Sequence, residues 1–126
     1  MEEYNPSISP SPEDWLAMDQ YERVELVREF LKNHEDDLPD EAVKLHSLIH
    51  VIVENQLALG VEFIPEAVAK LIRQGLDRHE AIHAIGAIVS EDIIELMNGN
   101  NTEFSPNQYR KKLEKITAKR WRKGQW

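Results

Sequence analysis

Cysteine is absent from all 126 residues. That excludes a disulfide scaffold, thiolate zinc or iron–sulfur ligation and a cysteine nucleophile, and it is compatible with a reducing compartment. Long apolar runs are missing too: none approaches the roughly 20 residues a membrane-spanning helix needs. No basic-then-apolar opening reads as a secretory leader. The expectation is a cytoplasmic protein with no membrane association. The five glycines are scattered, so there is no phosphate-cradling loop and no G-x-S-x-G nucleophile turn. Strand-like alternation is also lacking, and the expected class is all-α.

Charge is plentiful but unevenly spread. The net charge is −8. Residues 110–126 carry eight bases against the single acid Glu114, net +7, whereas residues 1–109 carry seven bases and 22 acids, net −15. A basic tail on an acidic body either meets an anionic partner or folds back on its own body. Tyr109, Trp121 and Trp126 punctuate this tail. One reading is therefore a nucleic-acid or protein adaptor that uses phosphate contacts and stacking. The favoured reading is an amphipathic helix docked through Leu113, Ile116 and Trp121, because an acidic body repels nucleic acid.

Punctuation residues divide the chain. Residues 1–10 are polar, carry Pro6 and Pro10, and are expected to be disordered. Residues 11–104 are expected to form a bundle and residues 105–126 a basic C-terminal helix, in all about four to five helices. Ser11-Pro12-Glu13-Asp14 reads as an N-cap, a first-turn proline and first-turn acids. Asp19-x-x-Glu22 and Asp77-x-x-Glu80 are capping-box patterns. Pro39 opens a helix to about Ala58, with Gly60 past its end; Pro65 opens a short one that stops before Gly75. A helix from 77 to about Met97 ends at Gly99-Asn100-Asn101, and Ser105-Pro106 caps one through Tyr109, Leu113, Ile116 and Arg120.

The strongest pattern is a duplicated one. His46-Ser47-Leu48-Ile49-His50 and His79-Glu80-Ala81-Ile82-His83 each set two histidines four apart, with isoleucine before the second and again two residues after it. Four apart on a helix means stacked on one face, with Cβ atoms about 5–6 Å apart. Two imidazoles so placed can share a metal ion, and two dyads on facing helices can offer four nitrogens. Glu54, one turn beyond His50, adds a candidate oxygen ligand. On a helical wheel with each first histidine at 0°, the apolar arc centres near about −40° in both helices. The histidines would then sit at the edge of a core-facing side. Leu48 and Val51 fall opposite that arc. A helix apolar nearly all round is buried on two sides, so a homodimer is expected. Without a metal, the same histidines would be hydrogen-bonded core residues.

His79-Glu80-x-x-His83 also satisfies H-E-x-x-H, in which two histidines hold zinc and the glutamate serves as general base, with Glu103 as a third ligand. A metal-dependent hydrolase is therefore an alternative, although Asp77 already explains Glu80 as part of a helix cap. The acids Glu35, Asp36 and Asp37 read as a solvated turn, with His34 an exposed helix-end histidine.

Leu45-His46-x-x-x-His50, then Glu54-Asn55-Gln56-Leu57-Ala58, then Gly75-Leu76-Asp77-x-His79-Glu80-x-x-His83 resemble a bacterial family catalogued as domain of unknown function 1841. The resemblance spans roughly residues 40–97, with Asn55 where the pattern has an acid. It implies a small helical protein in which the four histidines act as a unit, and it implies no reaction. The expected function is transition-metal binding through His46, His50, His79, His83 and Glu54, with zinc foremost and nickel or iron as alternatives.

Overall fold

A computed structural model describes residues 1–34, 39–97, 99 and 106–124. Glu103, Trp126 and the acids at 35–37 lie outside the described residues, as do the side chains of Ile93, Leu96 and Met97. The protein is all-α, as expected. Among the described residues there are seven helices: α1 Pro12–Ala17, α2 Gln20–His34, α3 Asp40–Ala58, α4 Ile64–Arg73, α5 Arg78–Met97, α6 Pro106–Lys115 and α7 Ala118–Arg122. None is long and apolar enough to cross a membrane. The chain divides into two compact units, Met1–Val61 and Glu62–Trp126. That boundary falls inside the stretch read from sequence as one bundle.

Local signals explain most helix ends. In the first unit, Ser11 Oγ accepts from the Asp14 amide at 3.5 Å, and Asp19 Oδ1 accepts from the Glu22 amide at 2.8 Å. Each satisfies an amide that has no partner within its helix. Helix α3 ends in a Schellman arrangement, with Gly60 N–H bonded to Leu57 O and Val61 N–H to Gln56 O. The turn needs a left-handed residue, and Gly60 supplies φ 64°.

The first unit packs α1 and α2 against α3. Its core holds Tyr4, Trp15, Met18, Val27, Leu31, Val43 and Val51. Trp15, fully buried, donates from Nε1 to Asn55 Oδ1 at 2.8 Å. Arg23 reaches the same oxygen at 3.0 Å and also donates to the Trp15 and Leu16 carbonyls at 3.0 and 3.2 Å. One arginine thus satisfies the carboxyl end of α1 and ties it to α3.

Two expectations need correction here. Residues 1–10 read as disordered from their polarity and prolines, yet Tyr4 is buried in the core. One aromatic with a place to go outweighs its polar neighbours. The buried face of α3 is also rotated from the expected arc. Val43, Ser47, His50, Val51, Val53 and Glu54 are buried, whereas Leu45 is 48% exposed. Apolar residues surround α3, so hydropathy does not choose its face; packing does, with Val43 and Val51 in the core shared with α1 and α2.

In the second unit, α4 and α5 pack on each other and both meet α6. Asp77 Oδ1 accepts from the Glu80 amide at 2.7 Å at the start of α5. Helix α4 ends like α3: Gly75, at φ 105°, bonds Ile72 O, and Leu76 bonds Leu71 O. A Cβ on Gly75 would stand 3.1 Å from Arg122 Nη2, which donates to the Gly75 carbonyl at 2.9 Å.

The basic tail is two helices rather than the one expected. Thr117 adopts an extended conformation, φ −133° and ψ 160°, and its Oγ1 accepts from the Arg120 amide at 3.1 Å. The hydrophobic spacing runs straight through this point, but a threonine that can cap a new helix competes with continuing the old one. Tyr109, Leu113, Ile116 and Ala118 are buried. Lys70 Nζ donates to the Leu113 and Glu114 carbonyls at 3.0 and 3.1 Å, and Gln74 Oε1 accepts from the Ala118 amide at 2.9 Å. The tail is thereby joined to α4. Arg110, Lys111, Lys115, Lys119, Arg122 and Lys123 remain exposed on it.

Candidate metal centre

Helix α3 stacks His46, His50 and Glu54 at one-turn intervals. The imidazole centroids of His46 and His50 lie 4.8 Å apart, with their planes at 54°. His46 is half-buried; His50 and Glu54 are 0% and 2% exposed. Burying an ionisable pair costs free energy unless hydrogen bonds replace the lost water. Tyr4 supplies some of them. Its hydroxyl donates to Glu54 Oε2 at 2.7 Å and lies 3.1 Å from His50 Nδ1. Ser47, also fully buried, donates back to the Val43 carbonyl at 2.7 Å. The polar residues on the buried face of α3 therefore have partners.

Helix α5 carries the second dyad in a different setting. The rings of His79 and His83 are 4.3 Å apart at 64°, and both residues are half-buried. Their neighbours Ala81, Ile82, Ala84 and Ile85 are each fully buried. Glu80 is exposed, and its amide is engaged by the Asp77 cap.

Within each dyad the two stacked rings can offer one nitrogen apiece to a shared metal ion. In a tetrahedral zinc site with Zn–N near 2.0–2.1 Å, such nitrogens stand about 3.3 Å apart. On α3, Glu54 adds a carboxylate one turn beyond His50. The zincin reading needs both His79 and His83 on the metal, with Glu80 turned toward it, and Glu80 is on the exposed side.

His34 lies apart from these dyads. It is exposed at the end of α2, bonded through Nδ1 to the Phe30 carbonyl at 2.8 Å and stacked on the Phe30 ring at 4.1 Å. Tyr4 is the residue the sequence did not reveal, because it lies 46 positions from His50. Its one signal is that it is the lone aromatic in a polar segment. No family model matches the chain, and neither does any curated protein or solved structure.

Proposed function

We propose that this protein binds one transition-metal ion, zinc foremost, through the His46/His50 dyad of α3. The observation that carries the reading is the stacking of those two imidazoles, centroids 4.8 Å apart, with the buried Glu54 one turn beyond. Neutral imidazole is a borderline-soft donor suited to zinc, nickel, iron and copper, and the lack of cysteine removes the thiolate alternative. Two nitrogens leave the remaining tetrahedral positions for further donors, water among them. A water held there would have a lowered pKa, which is the feature hydrolytic zinc sites use. The reading stops at binding, because Glu80, the base that the H-E-x-x-H pattern offers, is exposed. Glu54 stands one turn from His50, and the basic tail serves as a structural part of the second unit.

Zinc content after exhaustive dialysis, with calorimetric titration of the chelated protein, tests this. The expected result is about one zinc per chain and a thermal midpoint that rises on loading; at a hundredfold excess over Kd the gain is about 2.7 kcal/mol. His46→Ala and His50→Ala should each abolish retention. A protein that retains no zinc and melts identically with and without chelator contradicts the proposal.

A further inference from the structure

We infer that Tyr4 and Glu54 are positioning residues: they hold His50 with its proton on Nδ1 and so present Nε2 as the metal ligand. This rests on the metal-binding reading above. The reasoning follows proton ownership. A tyrosine hydroxyl has one proton to give, and a carboxylate only accepts. Tyr4 donates to Glu54 Oε2 at 2.7 Å, the shorter of its two contacts and the one expected of a charge-assisted bond. Toward His50 the tyrosine oxygen then offers only lone pairs. The 3.1 Å contact to Nδ1 is a hydrogen bond only if Nδ1 carries the proton. A neutral imidazole has one such proton, so Nε2 is left with its lone pair.

All three groups are nearly inaccessible, at 3%, 0% and 2% exposure for Tyr4, His50 and Glu54. Water therefore does not compete for these bonds, and the chain His50 Nδ1–H to Tyr4 Oη–H to Glu54 has one direction. The Tyr4 ring is fixed independently of its hydroxyl. It packs at 5.9 Å from Trp15 and edge-on at 6.1 Å from Phe30. Removing the oxygen alone thus leaves the packing in place. Orientation of a histidine ligand by a partner on its other nitrogen is a general feature of metal sites, and here the partner is a tyrosine backed by a carboxylate.

The relay makes an unusual demand. Removing the carboxylate should reverse it: with no acceptor at position 54, the Tyr4 proton turns to Nδ1 and the histidine proton moves to Nε2. The test uses the full chain, labelled with nitrogen-15, and reads the protonated nitrogen of His50 in metal-free protein before a titration with zinc. Wild type should show the proton on Nδ1. Glu54→Gln, which keeps an acceptor oxygen, should preserve it. Tyr4→Phe should lose the preference, and Glu54→Leu should place the proton on Nε2. Zinc affinity should fall about 10–100-fold in Tyr4→Phe and Glu54→Leu, with one zinc still bound at saturation. A wild-type His50 protonated on Nε2 overturns the inference whatever the zinc content. So does a Tyr4→Phe or Glu54→Leu protein, folded by circular dichroism, whose His50 keeps its proton on Nδ1. A chain that takes up no zinc but shows the stated tautomers and their reversal removes the metal reading and leaves the relay standing.

Discussion

The α3 and α5 dyads share spacing, residue type and an isoleucine in the same slot, yet they differ in what surrounds them. On α3 the second histidine is fully buried and lies against a tyrosine that also serves a buried glutamate. On α5 both histidines are half-buried, most of their neighbours on the helix are small or aliphatic, and the one adjacent acid is exposed. The local text makes them look interchangeable. The partners of the α3 dyad arrive from elsewhere in the chain, from position 4 and from one turn beyond the motif. A histidine pair defines where a metal could bind; partners from distant positions define how a ring is held.

The largest expected effect breaks the supports of the α3 dyad. Trp15→Ala removes a fully buried indole that packs on Tyr4 and bonds Asn55. It should cost about 3–5 kcal/mol in urea denaturation and weaken zinc binding with it. Leu71→Ala, fully buried in α4, should cost about 2–5 kcal/mol and leave the Tyr4–His50 bond unaffected. Equal losses of zinc affinity in the two would erase the distinction between the dyads.

Next come the histidines themselves. His50→Ala should weaken zinc by more than the roughly 100-fold expected of a supporting partner, whereas His79→Ala should leave one zinc bound. A His79→Ala protein that loses its zinc would make the dyads equivalent. Smaller is the loss of the Asp77 cap. Asp77→Ala should cost about 1 kcal/mol by thermal denaturation and fray the turn that carries His79. An unchanged midpoint would show that packing alone holds the start of α5.

The smallest effect concerns Lys70. Burial lowers its pKa from 10.5, with Glu114 opposing the shift. A lowered lysine pKa means that the unfolded chain holds more protons between the folded value and 10.5. Stability should therefore rise with pH across that window, relative to a Lys70→Met protein. A flat difference between the two would show that its bonds to Leu113 and Glu114 hold the charge without penalty.

Helix starts and stops were legible in the sequence because each is a local event: Ser11, Asp19 and Asp77 accept amides within three residues, and Gly60 and Gly75 supply left-handed turns. The break at Thr117 was not, since Leu113, Ile116 and Arg120 keep helical spacing across it. The buried face of α3 was misread for a related reason. Hydropathy ranks Leu45 above His50, but Tyr4 gives His50 and Glu54 a partner and leaves Leu45 outside. The dyads could be seen in sequence. Tyr4 could not, because nothing local connects position 4 to α3.

X-ray absorption at the zinc edge of the loaded protein tests the central claim most directly. Two imidazole nitrogens at about 2.0–2.1 Å, completed by further light donors, are the predicted innermost shell. A shell of oxygens alone, or a single imidazole, would contradict a site built on His46 and His50.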